Sequence, residues 1–133
     1  MKNNKRLTRI AVKTGTPDGD LFKTLFAEVF KGEKIPIEPG LTVYRIEDGT
    51  LMECYGPGSS YPDYFFKQAN IILGFKVGNL DETILLMQNG GARLMGKIET
   101  VCNDFIYCHL LLSNKTVIAL YQDVDPGNKK TPL

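Results

Sequence analysis

The sequence predicts an α+β fold in which a β-α-β-β-β unit occurs twice. A strand-like run followed by a helix pattern with a polar start appears near residue 7 and again near residue 70. Asp18 and Asp81 each lie just inside a helix start, and Arg9 and Ile72 lie on the strands before them. Both pairs are separated by the same distance (81 − 18 = 72 − 9 = 63). Tandem units of this kind predict a curved mixed sheet with a central cleft and with the helices on its outer face.

The chain of 133 residues fits a single domain. Its predicted parts are repeat 1 at about 7–55, a linker at 56–69, repeat 2 at about 70–123 and a polar tail at 124–133.

The first half begins with an alternating pattern over residues 7–13, which predicts a strand. Thr16 is a good N-cap, and Pro17 suits the first helical position. Apolar residues then recur at spacings of three and four from Leu21 to Phe30, which is typical of an amphipathic helix. Gly32 is the expected end of this helix.

The remainder of the first half is predicted to be extended. Residues 35–40 are expected to be irregular, because Pro36 and Pro39 cannot continue a helix. Residues 41–55 predict a hairpin that turns at Asp48-Gly49, a pair that tolerates positive φ. The linker is rich in glycine, proline and serine. Four aromatic residues in it are expected to pack on the core or on a partner: Tyr61, Tyr64, Phe65 and Phe66.

The second half repeats this order with different capping residues. Asn79 is the predicted N-cap, with Glu82 three residues later in a reciprocal capping arrangement. Gly90-Gly91 is expected to end the helix. Residues 92–101 indicate a weak strand pair or a strand plus a loop, and residues 105–122 predict a second hairpin.

Composition excludes several classes of function. A net charge of +1 gives no electrostatic case for binding nucleic acid. The N-terminal region has no apolar run typical of a signal peptide, and no segment approaches the roughly 20 apolar residues of a membrane helix. We therefore expect a cytoplasmic protein whose three cysteines are reduced thiols. Cys54 and Cys108 lie in apolar strand patterns, which favours buried packing over chemistry.

The segments "ILGFKVGNLDETI", "NGGARL", "TLMECYGPG" and "TVIALYQ", in duplicated order, carry a resemblance to a known superfamily. The chain resembles the vicinal oxygen chelate superfamily over residues 7–123. That superfamily includes glyoxalase I, bleomycin-resistance proteins, fosfomycin-resistance enzymes and extradiol dioxygenases. The resemblance implies the tandem fold with a cleft that binds a small molecule.

The resemblance also implies where metal ligands would lie. Metal-dependent members place a His or Gln on the first strand and a Glu on the last strand of each half. The corresponding residues here are Arg9, Glu53, Ile72 and Ala119. Arg9 is a permanent cation, and a firmly held divalent metal needs about three protein ligands. We therefore expect no metal and no other cofactor.

Arg9 and Glu53 are expected to lie close together if they occupy these positions. A guanidinium and a carboxylate would then pair and hold each other in place. One interpretation is that the pair only replaces a lost metal, and the other is that it forms a site for an anion or an amide. Strand alternation places Glu53 with Leu51 and Tyr55 on one face, and Met52 and Cys54 on the other, against a helix.

His109 is the only histidine of the chain. A lone histidine on a strand is usually a hydrogen-bonded structural residue. The alternative is an acid or base near neutral pH in an aromatic cleft, because His109 shares a strand face with Phe105, Tyr107 and Leu111. The alternation does not decide which side this face lies on.

Three functions are compatible with these patterns. The first is a metal-free protein that binds a small organic molecule, and the second is a lyase or isomerase that uses Glu53 as a base. The third is a dimeric interaction or regulatory domain. The missing metal ligands favour the first function over the second. The aromatic residues expected in the cleft (Tyr44, Tyr55, Tyr107 and Tyr121) favour the first function over the third.

The candidate catalytic residues are Glu53 and His109. The candidate ligand-binding residues are Arg9, Glu53, Tyr55, Tyr107, His109 and Tyr121. We expect a homodimer, because sheet edges need covering.

Overall fold

The computed structural model describes residues 5–102 and 104–124. These residues form two units, one of residues 7–74 and one of residues 75–124 with 5–6. The predicted polar tail, apart from Val124, lies outside the described residues.

The N-terminal unit contains one helix and four complete strands. In chain order, its elements are β1 (Leu7–Lys13), α1 (Pro17–Thr24), a π-helical turn (Leu25–Val29), β2 (Glu33–Glu38), β3 (Leu41–Arg45) and β4 (Leu51–Tyr55), followed by the start of β5 (Ile71–Lys76). The strand order is β2-β3-β4-β1. Strand β1 is parallel to β4, whereas the neighbouring pairs β2/β3 and β3/β4 are antiparallel. At the far edge of β1, the Lys13 amide donates to the Asn70 carbonyl at 2.9 Å, just before β5.

The helical segment formed by α1 and the π-helical turn begins and ends where the sequence predicts, at Thr16 and Gly32. The Thr16 hydroxyl accepts a hydrogen bond from the Gly19 amide at 3.2 Å, and Pro17 is the first helical residue. The helix continues into the π-helical turn, where the Phe30 amide donates to the Leu25 carbonyl. The Gly32 amide then donates to the Phe26 carbonyl at 2.8 Å. The N-cap and the terminating glycine are therefore confirmed, whereas the sequence pattern did not predict the wide final turn.

The extended part of this unit also follows the prediction. Gly49 has φ of 93°, and the Thr50 amide donates to Asp48 Oδ1 at 2.9 Å, which closes the turn of the β3–β4 hairpin. Strand β2 pairs with β3, but their register shifts between Pro36 and Glu38. Pro36 has no amide hydrogen, so this irregularity has a direct chemical cause.

The core of the N-terminal unit lies between the helical segment, α1 with the π-helical turn, and one face of the strands. Its buried residues are Ile10, Val12, Phe26, Tyr44, Met52 and Cys54. The predicted burial of Met52 and Cys54 is confirmed. The assignment of Tyr44 to the cleft-type aromatics is wrong, because its ring lies in this core and is only 6% exposed.

The C-terminal unit takes the end of β5 and adds α2 (Leu80–Asn89), β6 (Arg93–Val101), β7 (Phe105–Leu111) and β8 (Val117–Asp123). The strand order is β5-β8-β7-β6, and both β6/β7 and β7/β8 are antiparallel. Asn79 Oδ1 accepts from the Glu82 amide at 3.0 Å, which confirms this N-cap. The helix ends before Gly90, and Gly91 adopts φ of 107°.

Strand β6 corrects the prediction for residues 92–101. Arg93–Val101 form one continuous strand, not a weak strand pair or a strand plus a loop. The register with β7 skips residues between Met95 and Glu99, and Gly96 adopts φ of 72° there. A bulge at a glycine absorbs the extra residues, so the strand continues where the sequence pattern is interrupted.

Helix α2 covers the core of the C-terminal unit. The buried residues of this core are Leu80, Ile84, Ala92, Cys108, Leu110 and Leu120. Among the residues that the structure describes, no helix is both long and apolar enough to cross a membrane.

Both units thus show the predicted order of strand, helix and three strands, and the α+β class is confirmed. The capping residues Thr16 and Asn79 are separated by the predicted repeat distance (79 − 16 = 63).

Candidate functional site

The candidate site of the N-terminal unit is a hydrogen-bonded group of three side chains on β1 and β4. Arg9 Nη1 donates to Glu53 Oε2 at 2.8 Å, and the Tyr55 hydroxyl donates to Glu53 Oε1 at 3.1 Å. Both carboxylate oxygens of Glu53 therefore accept a hydrogen bond from the protein. The predicted Arg9–Glu53 pair is present, and Tyr55 is joined to it.

The two strands place these side chains on the sheet face opposite α1. On β1, Ile10 and Val12 point into the core, so Arg9 points away from it. On β4, Met52 and Cys54 take the core positions and leave the other face to Glu53. Parallel pairing brings Ala11 beside Glu53. The small side chain of Ala11 leaves room for Arg9 to reach across to the carboxylate.

The Arg9–Glu53 pair is partly removed from water. Its side chains are 22% and 15% exposed, whereas the Arg45–Glu33 pair of the same unit is 51% and 62% exposed. A charge-assisted hydrogen bond is stronger where less water competes for it. The geometry of Glu53 is therefore held more firmly than that of a surface carboxylate.

Aromatic residues of the linker surround the Tyr55 ring. The centroid of Tyr55 lies 5.8 Å from Tyr61, 5.7 Å from Phe65 and 5.8 Å from Phe66, each in an edge-to-face arrangement. Phe65 is only 6% exposed. Tyr64 in turn lies 6.5 Å from Phe65. The expectation that the linker aromatics pack on the core or on a partner is met within this unit.

These linker residues are the part of the site that sequence reasoning missed. The four aromatic residues close together in one linker are visible in the sequence and could have indicated this role. The path of the linker, which brings them against Tyr55 on β4, could not be read from the sequence. Lys13 is also close to the site, because the strand register pairs it with Tyr55.

A second aromatic group lies on the C-terminal unit. Tyr107 and Tyr121 face each other across β7 and β8, with nearly parallel rings whose centroids are 5.6 Å apart. Phe105 lies 5.5 Å from Tyr121, and His109 lies 5.5 Å from Tyr107. The side chains of Cys108 and Leu110 point to the α2 core, so this group lies on the opposite face. The structure thus settles the side that the alternation left open.

His109 is buried on this face, with 9% of its surface exposed. Burial lowers the pKa of His109 from 6.5 to about 4, because an imidazolium would lose its hydration. The side chain is therefore neutral at pH 7. This shift favours the structural interpretation of His109 over an acid or base near neutral pH, and a catalytic role stays a prediction.

The residues at the superfamily's metal positions do not fit a metal. Glu53 is the one possible ligand among them, and it is paired with the Arg9 guanidinium. Ile72 and Ala119 are buried apolar residues, each 3% exposed. Within residues 5–102 and 104–124, no three side chains of His, Cys, Asp or Glu are grouped so that they could hold a metal ion.

Comparisons with known proteins identify the fold. No family model matches the chain, and no curated protein matches it. Among solved structures, a glyoxalase/bleomycin resistance protein/dioxygenase superfamily member from Vibrio splendidus 12B01 is 9% identical, with a TM-score of 0.60, and the match covers 90% of this chain and 100% of that one. Methylmalonyl-CoA epimerase from Mycobacterium tuberculosis is 12% identical, with a TM-score of 0.60 and coverage of 98% and 97%.

A third similar structure is methylmalonyl-CoA epimerase from Streptomyces coelicolor. It is 12% identical, with a TM-score of 0.56, and the match covers 91% of this chain and 99% of that one. Identities this low show a shared fold and not a shared activity. The chain thus has the vicinal oxygen chelate fold, as its sequence resemblance implies.

Proposed function

We propose that this protein binds a small organic molecule on the sheet face of its N-terminal unit, at Arg9, Glu53 and Tyr55, without a metal. The observation that carries the proposal is the shielded Glu53 carboxylate, held by Arg9 Nη1 at 2.8 Å and by the Tyr55 hydroxyl at 3.1 Å. Partly buried charged groups with fixed geometry, next to aromatic rings, are typical of ligand sites.

The chemistry of the three groups favours a ligand with both polar and apolar parts. A guanidinium presents several N–H donors in a plane, which suits a carboxylate or an amide carbonyl of a ligand. A carboxylate oxygen can accept more than one hydrogen bond, so Glu53 can also accept from a ligand N–H or O–H. The rings of Tyr55, Tyr61 and Phe66 would contact its apolar part. On the second unit, Tyr107, His109 and Tyr121 are also proposed ligand contacts.

The second candidate function is a lyase or isomerase that uses Glu53 as its base. The shared fold with two methylmalonyl-CoA epimerases favours this class. Against it, each Glu53 oxygen already accepts a hydrogen bond from a protein donor. Such a carboxylate is better arranged to anchor a ligand than to remove a proton from one. A dimeric interaction or regulatory domain is the third candidate.

The test is a ligand screen by thermal shift on protein dialysed against EDTA, followed by calorimetry of each hit. A compound that binds this site should bind the Glu53→Gln and Tyr55→Phe variants more weakly, by about tenfold for the charge change. The matched control is Glu33→Gln, which removes an exposed pair on the same sheet and should leave affinity unchanged. Equal affinity for wild type and Glu53→Gln would refute the proposed site.

We also propose that the protein is a cytoplasmic homodimer. The three cysteines, Cys54, Cys102 and Cys108, are all thiols rather than disulfides. Strands β2 and β6 each end a strand order and present an edge that a second copy could cover. Light scattering at high concentration tests the dimer, and a monomer would contradict it.

A further inference from the structure

A cavity of about 490 Å³ lies on the helix side of the N-terminal unit, away from Arg9 and Glu53. Its volume is in the range of small-molecule sites. The lining residues are Val29, Phe30, Lys31, Ile46, Glu47 and Asp48. They come from the end of the first helical segment and from the β3–β4 turn. We propose that this cavity, which we call the helix-end cavity, binds an organic ammonium ion with an apolar body.

The floor of the helix-end cavity is apolar and accessible. Val29 is 62% exposed and Phe30 is 42% exposed, which is unusual for large apolar side chains next to each other. Phe30 is positioned by Phe26, a core residue whose ring lies edge-to-face at 5.4 Å. The Phe30 ring is therefore held in place by Phe26 on one side, and its other side is accessible to a ligand.

Two unusual backbone conformations border the cavity. The helix widens into the π-helical turn at Leu25–Val29, and Lys31 adopts φ of 56°, which is left-handed for a residue other than glycine. Both conformations cost free energy, and both recur at functional sites. Here they place Val29, Phe30 and Lys31 around one opening.

The charge around the cavity favours a cation. Glu47 and Asp48 contribute two negative charges and Lys31 contributes one positive charge, so the charged residues that line the cavity have a net charge of −1. The carbonyl end of the preceding helix adds partial negative charge at the same place. The face of the Phe30 ring also attracts a cation. An organic ammonium ion fits this arrangement. Its charged group would lie near Glu47 and Asp48, and its apolar body would pack on Val29, Phe30 and Ile46.

Benzyltrimethylammonium is a suitable probe, followed by the shifts of backbone amide signals in a heteronuclear NMR titration. Benzyl alcohol and benzoate serve as neutral and anionic comparisons with the same ring. The cation should bind at least about fivefold more tightly than either, with shifts centred on Lys31 and Glu47. Benzyl alcohol that binds as tightly as the cation, or shifts centred elsewhere, would overturn the proposal.

Two variants separate the charge from the ring. Glu47→Gln changes an exposed side chain and should weaken binding of the cation by about threefold to fivefold, whereas Glu38→Gln, an exposed acid on β2, should not. Phe30→Leu keeps an apolar side chain but removes the aromatic face, and should weaken the cation more than benzyl alcohol. Unchanged affinity in both Glu47→Gln and Phe30→Leu would refute the site. Glu53→Gln should leave binding at the helix-end cavity unchanged, because Glu53 does not line it. The titration therefore tests the helix-end cavity independently of the site at Arg9, Glu53 and Tyr55.

Discussion

Glu53 and Glu33 make ion pairs of nearly the same length in different surroundings. The distances are 2.8 Å to Arg9 and 2.7 Å to Arg45, but Glu53 is 15% exposed and Glu33 is 62% exposed. Exposed pairs contribute little to stability because water screens them and because fixing two long side chains costs entropy. A shielded charge left without its partner costs more. At the scale of single residues, exposure therefore determines what each pair contributes.

The first prediction compares these two carboxylates. Glu53→Gln should lower the free energy of unfolding by about 1–2 kcal/mol, because the Arg9 guanidinium loses its charged acceptor. Glu33→Gln should change it by less than about 0.5 kcal/mol. Urea denaturation of both variants measures the difference. Equal losses would show that the shielding of Glu53 has no energetic consequence.

The second prediction concerns the pH dependence caused by His109. Its pKa is lowered from 6.5 to about 4 by burial, so between these values the unfolded chain binds the proton more readily than the folded one. Stability that is present above pH 6.5 is therefore lost as the pH falls towards 4, by about 3 kcal/mol in total. His109→Gln removes the titration, so the stability difference between wild type and variant should change over this window. A difference that is constant from pH 7 to pH 4 would contradict the assigned burial.

The third prediction concerns the thiols. Burial raises the pKa of Cys54 and of Cys108 to about 11, whereas Cys102 is exposed. Only the thiolate attacks disulfide reagents, so the two buried thiols should react slowly at pH 8. A chromogenic disulfide should label one thiol per folded chain quickly and all three after denaturation. The Cys102→Ser variant should lose the fast phase, and a fast phase that persists in it would show that a buried thiol is accessible.

At the scale of elements, strand β4 and the linker together build the candidate site. Alternation along β4 gives Glu53 and Tyr55 one face and Met52 and Cys54 the other, and this could be predicted from the sequence alone. The packing of Phe65 and Phe66 on Tyr55 could not be predicted in the same way, because it depends on the path of a linker without a repeating pattern.

The fourth prediction tests whether the linker is part of the folded unit. Phe65 is 6% exposed and contacts several aromatic rings, so Phe65→Ala should cost about 3 kcal/mol. Lys67→Ala, an exposed change in the same linker, should cost less than about 0.5 kcal/mol. Thermal unfolding measures both effects, and similar midpoints for the two variants would mean that the aromatic packing contributes little.

At the scale of the whole molecule, the features that could be predicted from the sequence are those with local causes. The caps Thr16 and Asn79, the terminating glycines and the Asp48-Gly49 turn each act within a few residues, so their signals are visible in the chain. The continuity of strand β6 was missed because the bulge at Gly96 interrupts its alternation. Tyr44 was misplaced because alternation shows that two faces exist but does not show which of them a helix covers.

The Arg9–Glu53 pair was predictable for another reason. The superfamily resemblance assigned Arg9 and Glu53 to two of the metal-ligand positions, which lie close together in that fold. Opposite charges at such positions then predict an ion pair. The donation from Tyr55 to Glu53 depends on a ring rotamer that packing with Tyr61 and Phe65 selects, and no spacing in the chain indicates it.

The central claim is that a small molecule binds at Arg9, Glu53 and Tyr55 without a metal. The most direct measurement is calorimetric titration of a screened ligand into protein treated with EDTA, repeated after addition of zinc, nickel or manganese. We expect one binding event of the same affinity with and without metal, weakened by about tenfold in Glu53→Gln and unchanged in Glu33→Gln. Binding that requires a stoichiometric metal, or that is equally tight in the Glu53→Gln variant, would contradict it.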